Sequence, residues 1–493
     1  MEEKLTEQEL IRRGKLSRLQ EMCVEPYGQK FNVTHSTDDI KKYIDLTKEE
    51  LDEKAIPAII AGRIMLNRPK GKIGFFHIQD KCGKLQCLIS LNGVGEEQYA
   101  VYKIADIGDI VGLEGVITKT NTGELTLKVT KYTHLTKALK PLPEKFHGLT
   151  DVEERYRRRY VDLIMNEDAK RVAIARPRII RCMQNYFDSL GFIEVETPIL
   201  TSVVGGAAAR PFMTHHNTLN KDFSLRIATE LPLKRLIVGG LERVYEIGRL
   251  FRNEGMDTKH NPEFTTVELY QAYGDLSDMM DLVENTFRII SKEINGTAVI
   301  PYGELTIDLE SPFRKVSMCE LIKEVTGVDF KNNHYTYEEA VALAKEHNVP
   351  VEKHFISVGH IINAFFETHC EETLVQPTIL YGHPIEISPL TKKSDDPRFT
   401  ERFELFIGGR EYANAYSELN DPIDQKQRFI DQLKEKELGN EETSDFDQDF
   451  IDALEYGMPP CGGIGIGIDR LVMLITNSAS IRDVLLFPTM KDR

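Results

Sequence analysis

Residues 248–273 place a cation, a carboxylate, a histidine and an aromatic ring at spacings that suit nucleotide binding. The segment reads GRLFRNEGMDTKHNPEFTTVELYQAY. Apolar and polar residues alternate on both sides of a loop rich in Gly, Asp, Asn and Pro, which predicts strand, turn and strand. With a period of two, Arg252 and Glu254 share one face of the first strand. One face of the second strand carries Phe264, Glu268 and Tyr270.

A cation, an aromatic platform and a loop donor together indicate a nucleotide that lies across a sheet with its phosphates over the loop. The planar guanidinium of Arg252 can bridge two anions, Phe264 offers a flat face to a base, and His260 can donate to a phosphate. The alternative for Arg252 is a structural ion pair with Glu246 or Glu254. For Phe264 the alternative is a place in the core, and for His260 a capped turn.

A second group of polar side chains, in residues 402–422, predicts a metal site on a β-hairpin. The segment reads RFELFIGGREYANAYSELNDP, and its pair Gly408–Gly409 favours a two-residue turn. That turn pairs Phe406 with Glu411. It also brings Glu404 diagonal to Glu411 on one face, within reach of a shared Mg²⁺ ion. Hard oxygen ligands of this kind serve chemistry at phosphate groups.

The second strand of this hairpin has three polar positions with the opposite parity to Glu411. They are Asn414, Tyr416 and Glu418. In a regular strand they would face away from Glu411. A bulge or kink between residues 411 and 414 would be needed for all four side chains to face one pocket.

Residues 457–474 combine a glycine-rich strand with the start of a helix. They read GMPPCGGIGIGIDRLVML. The spacing is similar to a dinucleotide-binding fingerprint, but no strand–helix–strand continuation follows, so we reject a Rossmann fold. Glycine in a strand lets a ligand approach the backbone closely. Arg470, at the junction of strand and helix, would sit on that ligand.

The elements that must position these groups change in character along the chain. Residues 1–55 read as charged helices, and residues 56–140 contain five short β runs cut by glycines, which predicts a small closed barrel of the OB type. A proline-punctuated linker spans residues 141–165, and residues 166–493 mix helices and strands. From about residue 316 to 372 the β character is lost, which suits an inserted helical subdomain.

Length, composition and charge narrow the class of protein. The 493 residues exceed one ordinary core, and 41% hydrophobic with 28% charged residues is typical of a globular protein. There is no run of about 18 apolar residues for a membrane span and no signal-peptide pattern at the start. We therefore expect a cytoplasmic protein with no membrane partner, reduced cysteines and no zinc site.

The net charge is −16, yet residues 60–150 hold 13 Lys and Arg against 8 Asp and Glu. This local excess of positive charge suits binding to the phosphate backbone of a nucleic acid.

Several of these segments closely resemble the signature motifs of class II aminoacyl-tRNA synthetases. Residues 251–264 resemble motif two, with Lys259 before the histidine, and GIGIDRLVML resembles motif three. Motif one, the dimer element of that family, is similar to GFIEVETPIL, which contains Pro198. Four further segments resemble the lysyl branch of the family: GGAAARPF, ATELPLKRLIVGG, EYANAYSELNDP and IRDVLLFPTM. One departure is Pro232, where the family pattern leads us to expect a bulky residue.

The resemblance implies an α+β fold, in which an antiparallel six-stranded sheet with flanking helices follows an N-terminal OB-fold barrel that binds the anticodon. It also implies an enzyme, a ligase that works as a homodimer. L-Lysine would attack the α-phosphate of ATP to give lysyl-adenylate and pyrophosphate, and the lysyl group would then pass to the terminal ribose of tRNA(Lys). No nucleophilic side chain is needed, because the lysine carboxylate is the nucleophile and the enzyme aligns it and neutralises charge.

The resemblance further implies an ATP site composed of Arg252, Glu254, His260, Asn261, Phe264, Glu404 and Arg470. Three of these would act in catalysis: Arg252, His260 and Arg470. Arg252 would bridge the lysine carboxylate and the α-phosphate, and His260 would reach the outer phosphates. The adenine would lie between Phe264 and Arg470, with Glu254 at its edge.

A lysine pocket is implied at Gly206, Glu230, Arg252, Glu268, Tyr270, Asn414, Tyr416 and Glu418. The α-ammonium would meet Gly206 and Glu230, and Asn414 would lie near the carboxylate. Because an ammonium with three donors ends a long apolar stem, the floor needs a carboxylate, assigned to Glu418, beside the hydroxyl of Tyr270. The alternative for Glu418 is a surface position before the Asn-Asp-Pro turn.

In the barrel, the resemblance places anticodon contacts at Phe75, Gln86 and Glu124. Stacking on an aromatic ring, with amide and carboxylate groups beside it, suits unpaired bases. The alternative for Phe75 is a core position, since adjacent Phe76 must point to the other face of the strand.

Three other functions stay open at this point. A synthetase of the same subclass for aspartate or asparagine would need a cation for the substrate side chain, and Glu418 argues against that. A paralogue that lysylates a protein would be expected to lack the barrel. An RNA-binding regulator would be expected to lose the charged site residues, and this sequence retains Arg252, Glu404, Glu411 and Arg470.

Overall fold

The first unit of the chain, Met1–Thr150, is built on a closed five-stranded barrel with strand order β1-β2-β3-β5-β4. The computed structural model describes residues 5–28, 30–143, 151–437 and 445–492. The elements of this unit are α1 (Glu7–Glu21), α2 (Thr37–Lys41), α3 (Lys48–Lys54), β1 (Pro57–Lys70), β2 (Ile73–Gln79), β3 (Lys84–Ser90), α4 (Leu91–Ile104), β4 (Ile110–Lys119) and β5 (Leu125–Thr136). The five glycine-cut runs are therefore the five barrel strands, as predicted.

The helices before β1 share a core with the barrel. Each begins with a capping box, in which a Ser or Thr hydroxyl and an acidic residue three positions on satisfy backbone N–H groups. Leu19, Ile40 and Leu51 are buried in the same apolar cluster as the barrel strands. Residues 1–55, predicted as an extension of charged helices, thus contain three helices joined by non-helical segments, and these helices pack as part of the barrel unit.

The second unit, Asp151–Arg493, begins with helices where a linker was predicted. They are α5 (Val152–Arg157) and α6 (Arg159–Met165). Arg159 is buried, pairs with Asp162 at 2.6 Å and donates to the carbonyl of Arg482 at 2.6 Å. Residues 151–165 are therefore held to this unit by contacts across more than 300 residues of sequence, which proline spacing cannot show. Residues 144–150 of the predicted linker lie outside the described residues.

The remaining elements form one large sheet with helices around it and two smaller sheets. In chain order they are α7 (Glu167–Ser189), β6 (Ile193–Glu194), β7 (Leu200–Thr201), β8 (Met213–His216), β9 (Lys221–Leu225), α8 (Glu230–Val238), β10 (Arg243–Phe251), β11 (Glu263–Ala272), α9 (Leu276–Asn295), β12 (Val299–Tyr302), β13 (Leu305–Asp308), β14 (Arg314–Ser317), α10 (Met318–Thr326), α11 (Tyr337–Glu346), α12 (Val358–His369), β15 (Thr378–Tyr381), β16 (Arg402–Phe406), β17 (Glu411–Ser417), α13 (Pro422–Glu437), α14 (Gln448–Glu455), β18 (Cys461–Gly467), α15 (Ile468–Thr476) and α16 (Ile481–Val484). The smaller sheets are a three-stranded sheet of order β7-β9-β8 and the two-stranded sheet β12-β13. Pro232 lies in the first turn of α8, where a missing N–H is tolerated.

The sheet has eight strands in the order β14-β15-β16-β17-β18-β11-β10-β6. The six central strands, from β15 to β10, are antiparallel to their neighbours, which confirms the predicted six-stranded core. Short β14 and β6 add parallel pairs at the two edges. Those edge strands were not predicted, because two to four residues are too short for an alternating pattern to be recognised.

The segment predicted as a helical insertion contains α10, α11 and α12. Their apolar faces meet in a separate core that includes Ile322, Ala340 and Phe365. The main core lies between one face of the large sheet and the helices α7, α9 and α15, which cover that face. One face of the sheet is thereby left for a cavity.

Candidate active site

A cavity of about 1080 Å³ lies against β10, β11, β16, β17 and β18. Every residue predicted to bind ATP, lysine or Mg²⁺ lines it, namely Gly206, Glu230, Arg252, Glu254, His260, Asn261, Phe264, Glu268, Tyr270, Glu404, Glu411, Asn414, Tyr416, Glu418 and Arg470. Phe264 and Tyr270 are six residues apart on β11, or roughly 20 Å at the rise of a strand. The cavity is thus long enough to hold two ligands end to end.

The glycine-rich strand β18 forms part of the cavity wall. Ile464 and Ile466 are buried in the main core, while Gly463, Gly465 and Gly467 line the cavity on the opposite face. A methyl group at Gly463 would come within 2.1 Å of Glu418 Oε1 and 2.5 Å of Tyr270. This glycine therefore makes room for two side chains at the floor of the pocket.

Arg252 and Glu254 lie in the loop after β10, because the strand ends at Phe251. The predicted shared strand face is therefore wrong, although both residues still line the cavity. The guanidinium carbon of Arg252 lies 5.2 Å from the centroid of the Phe264 ring. Its Nε atom is buried and has no hydrogen-bond partner among the described residues, which leaves a donor for an anionic ligand.

The predicted ion-pair alternative for Arg252 does not form with Glu246. That carboxylate is buried and pairs with Arg226 at 2.5 Å, and it also accepts a hydrogen bond from the Thr197 hydroxyl at 2.7 Å. Arg252 therefore differs from a structural arginine such as Arg226, whose donors are taken up by the protein.

His260 lies in the loop between β10 and β11, as predicted. Asp257 accepts hydrogen bonds from the backbone N–H groups of Lys259 and His260 and lies 2.9 Å from His260 Nδ1. The Asn261 side chain donates to the carbonyl of Glu263 at 2.6 Å, so it shapes the loop from within. The His260 side chain is 53% exposed, which leaves it accessible to a ligand.

The hairpin between β16 and β17 has the predicted turn. Ile407 and Arg410 exchange hydrogen bonds of 2.9 and 3.2 Å, and φ is +58° and +65° at Gly408 and Gly409. The left-handed backbone at both turn positions explains the glycine pair.

The predicted bulge is also present, since Phe406 pairs with Glu411 but Leu405 pairs with Ala413. The extra residue, Tyr412, is buried in the main core next to Ala413. The bulge restores a common face, so Glu411 lines the cavity with Asn414 and Tyr416 of β17 and with Glu418, one residue beyond the end of that strand.

Glu404 lies opposite Asn414 at the middle of the hairpin. Arg402 donates to Glu404 at 2.6 Å and to the Asn414 amide oxygen at 3.1 Å, and His383 Nε2 lies 3.3 Å from the Glu404 carboxylate. Burial alone would raise the pKa of Glu404, but Arg402 and His383 bring it below its ordinary value. Glu404 is therefore ionised at neutral pH.

Glu411 contacts Arg470, which donates to the Glu411 carbonyl at 2.6 Å and lies 3.3 Å from its carboxylate. Burial and the nearby charge of Glu404 raise the pKa of Glu411. This repulsion between two oxygen donors is what a divalent cation would relieve, so the pair fits Mg²⁺. Mg²⁺ is commonly bound by one or two carboxylates plus substrate phosphates, and this pair supplies two carboxylates.

At the other end of the cavity, Glu418 is buried and not a surface residue. It forms an ion pair with Lys234, whose Nζ also lies 2.6 Å from Glu230 Oε1. The Glu268 carboxylate accepts hydrogen bonds from the Thr229 N–H and from the Tyr270 hydroxyl, both at 3.2 Å. Burial and the charge of Glu230 raise the pKa of Glu268 to about 7.

Four residues of the site were missed in the sequence: Lys234, His383, Arg402 and Asp257. The spacing of Glu230 and Lys234 on one helix, at i and i+4, was a usable signal for an ion pair. Asp257 two residues before Lys259 was a signal for a capped turn. His383 carried no signal, because its contact with Glu404 depends on pairing between distant strands.

On the barrel, the predicted anticodon residues meet on the outer face of β2, β3 and β5. Phe75 is 37% exposed and Phe76 fully buried, so the core alternative for Phe75 is wrong. Gln86 is mostly buried and donates to the Thr126 hydroxyl at 2.8 Å, and Glu124 lies 3.3 Å from His77 Nε2. Exposed cations flank this face, with Arg68 opposite Phe75 in β1 and Lys128 opposite Leu88 in β5.

Pro198 lies outside the cavity, in an exposed stretch of the second unit. Three neighbouring apolar side chains are also exposed there: Ile193, Ile199 and Leu200.

In the described parts of the chain, no helix is long and apolar enough to cross a membrane. All seven cysteines are free.

Comparison with known proteins matches both units. The family described as tRNA synthetases class II (D, K and N) matches residues 151–491, and the family described as OB-fold nucleic acid binding domain matches residues 58–135. A protein of Streptococcus sanguinis (strain SK36) named lysine–tRNA ligase is 58% identical over 491 residues, 99% of each chain. The lysine–tRNA ligase of Bacillus subtilis (strain 168) is 57% identical over 493 residues, 100% of this chain and 98% of its own. The chain belongs to the class II tRNA synthetases, and within them to the family of the lysine–tRNA ligases.

Proposed function

We propose that this chain joins L-lysine to tRNA(Lys) in two steps, with ATP as the energy source. The observation that carries the proposal is the distribution of charge in one cavity. Buried carboxylates, Glu230 and Glu418, lie at the floor, and Arg252 presents an unpartnered Nε near the aromatic ring of Phe264. A ligand with two ammonium groups and one carboxylate, next to a nucleotide, satisfies this distribution. The names and full-length similarity of the relatives support the same conclusion.

In the first step, an oxygen of the lysine carboxylate attacks the α-phosphorus of ATP, and the bond from that phosphorus to the bridging oxygen breaks to release pyrophosphate. Arg252 would contact both the carboxylate and the α-phosphate and so align them. His260 would donate to the outer phosphates, and Phe264 with Arg470 would hold the adenine. Glu404 and Glu411 would hold Mg²⁺, which neutralises phosphate charge when bound.

In the second step, a hydroxyl of the terminal ribose of tRNA attacks the lysyl carbonyl carbon and AMP leaves. The barrel would hold the anticodon, with Phe75 stacked on a base and Gln86 and Glu124 beside it. The basic surroundings of this face, Arg68 and Lys128, would contact phosphates.

The proposal includes a homodimer and a cytoplasmic location. The exposed apolar side chains around Pro198 favour a subunit interface, because apolar patches of this kind are usually covered. A cytoplasmic location agrees with seven free cysteines and with the use of charged tRNA in translation. Sedimentation of the purified chain tests the dimer.

The decisive experiment is ATP–pyrophosphate exchange with each of the twenty amino acids, followed by aminoacylation of tRNA. We expect exchange with lysine and transfer to tRNA(Lys). Exchange with aspartate or asparagine would establish the rival synthetase. RNA binding with no exchange for any amino acid would establish a regulator, and transfer of lysine to protein but not to tRNA would establish a paralogue.

A further inference from the structure

We propose that Lys234 is a positioning residue for lysine selection, which orients the carboxylates of Glu230 and Glu418 beneath the substrate and balances part of their negative charge. The inference rests on the lysine pocket of the proposed function. It adds to that pocket a residue that does not touch the substrate and acts through its two carboxylate partners.

The position of Lys234 shows why it acts indirectly. It lies one helical turn after Glu230 on α8, and its side chain is fully buried. Glu230 and Glu418 line the cavity, whereas Lys234 is absent from the described residues that do so. The ammonium therefore lies behind the two carboxylates and is out of the reach of a ligand.

The contacts leave half of each carboxylate free for a ligand. Lys234 pairs with Glu230 through Oε1 and with Glu418 through Oε2. The Oε1 atom of Glu418 is buried and has no hydrogen-bond partner among the residues described. Since a carboxylate can accept at both oxygens, each partner can bind Lys234 and a substrate ammonium at the same time.

The balance of charge explains why an internal cation is needed. Three carboxylates, from Glu230, Glu268 and Glu418, meet at a floor from which water is largely excluded. Without a cation they would repel one another, and the pKa of the buried Glu418 carboxyl would rise further, because burial disfavours the charged form. A protonated carboxyl group attracts an ammonium group much less than a carboxylate does. Lys234 supplies the missing charge before any substrate arrives.

The same arrangement accounts for the rejection of acidic substrates. Lys234 is a cation at the floor of the pocket, and a pocket for aspartate would need such a cation exposed. Here Glu230 and Glu418 lie between the ammonium and the cavity and present negative charge to the ligand. The covered lysine therefore selects for a cationic side chain.

Titratable groups face Glu418 from β17, which ends one residue before it, and from three neighbouring elements. They are Lys234 and Glu230 on α8, Glu268 and Tyr270 on β11, Tyr416 on β17 and Cys461 on β18. Burial and the neighbouring carboxylates raise the pKa of Glu418, and Lys234 opposes that rise. Removal of the ammonium should therefore raise the pKa of Glu418 further, so that lysine binds well only at higher pH.

The test is the variant Lys234→Met, which removes the charge and keeps an unbranched side chain. ATP–pyrophosphate exchange gives the KM of lysine and of ATP between about pH 6.5 and 9. We expect the lysine KM to rise at least about tenfold at neutral pH, with less than about a threefold change for ATP. The lysine KM of the variant should continue to fall up to the highest pH, whereas that of the unaltered protein levels off earlier. Arg235→Met, at the next position and paired with Asp447, is the matched control and should behave as the unaltered protein.

A second variant covers the case in which Lys234→Met does not fold. Lys234→Met combined with Glu418→Gln removes one charge of each sign and leaves only Glu230 without its cation. Loss of Lys234 should therefore raise the lysine KM less in the Glu418→Gln background than in the unaltered protein. A rise as large in both backgrounds would overturn the proposal. So would an unchanged lysine KM in Lys234→Met, an equal rise for lysine and ATP, or a pH profile that matches the unaltered protein.

Failure of this inference can be told from failure of the proposed function. If the unaltered protein shows no lysine-dependent exchange, the proposed function fails. If that exchange is present and Glu418→Gln raises the lysine KM while Lys234→Met does not, only the role of Lys234 fails.

Discussion

The two ends of the cavity handle charge in opposite ways. At the lysine end, the side chains of Lys234 and Glu418 are fully buried. At the nucleotide end, His260 and Asp257 are more than half exposed, and Arg470 is 31% exposed beside Glu411. Charges in water are screened and their pairs contribute little, whereas removal of one partner from a buried pair is costly. On the proposed assignment of ligands, the lysine end would discriminate between substrates, and the nucleotide end would align a large and highly charged ligand and release its products.

The largest effect should come from Glu418→Gln, which breaks the lysine end directly. Loss of one partner of a desolvated ion pair costs about 3–5 kcal/mol, which is over about a hundredfold in affinity. We expect the lysine KM in ATP–pyrophosphate exchange to rise by at least about two orders of magnitude while the ATP KM changes little. Glu455→Gln, on an exposed face of α14, is the matched control. A lysine KM within a few-fold of the original would remove Glu418 from the pocket.

At the nucleotide end, Glu411→Gln and Glu404→Gln should act on rate more than on lysine binding. Each removes one of the two oxygen donors assigned to Mg²⁺, whose charge stabilisation is worth several kcal/mol in such reactions. We expect adenylate formation to fall by roughly a hundredfold with little change in lysine affinity measured by calorimetry. Glu324→Gln, which breaks an exposed ion pair with Arg314, should leave both unchanged. Survival of exchange in both variants would show that the metal assignment is wrong.

The pH dependence of lysine use should reflect Glu268, because burial and Glu230 raise its pKa to about 7. Its carboxylate is protonated below that pH and attracts the substrate ammonium less. We therefore expect kcat/KM for lysine to rise with pH between about 6 and 8, by up to about tenfold per unit below the pKa. In Glu268→Gln the part of this rise around pH 7 should flatten, whereas the part at higher pH that reflects the raised pKa of Glu418 should remain. The same steepness in the variant would assign the titration to another group.

The smallest of these effects should lie on the barrel, in Phe75→Ala. Lost stacking should lower tRNA affinity by roughly 1–3 kcal/mol, measured by filter binding, and leave lysine-dependent exchange intact. Ile107→Ala, another exposed apolar position of the barrel unit, is the control. Equal damage to tRNA binding and to exchange would indicate loss of the fold instead of a lost contact.

Local patterns were enough to predict much of the fold. The Gly408–Gly409 pair gave the turn and its register, because only one turn type suits two residues with positive φ. The parity conflict between Glu411 and Asn414 was enough to predict the bulge at Tyr412. In β18, the glycines predicted a close approach of a ligand to the backbone, and Gly463, Gly465 and Gly467 line the cavity.

Contacts between distant segments could not be predicted in this way. Arg252 was placed on a strand, because nothing in the local pattern marks the end of β10 at Phe251. Residues 151–165 were placed in a linker. That placement missed the contact between Arg159 and a carbonyl near the C-terminus, because the two are more than 300 residues apart in the sequence. The contact of His383 with Glu404 likewise joins two segments through the sheet.

By itself, the sequence determined that one unit is a β-barrel and the other an α+β domain. It also determined the strands, the turns and the kinds of side chain at the site, because these depend on the spacing of residues close together in the chain. Only the tertiary structure decided which charges neutralise one another. From the sequence, Glu418 was interpreted as a carboxylate without a partner in the protein. In the fold, the buried ammonium of Lys234 forms an ion pair with it. The reason is physical: the energy of a charge depends on its burial and on neighbours within a few ångströms. Those neighbours, here on α8 and at the end of β17, are separated by more than 180 residues of chain.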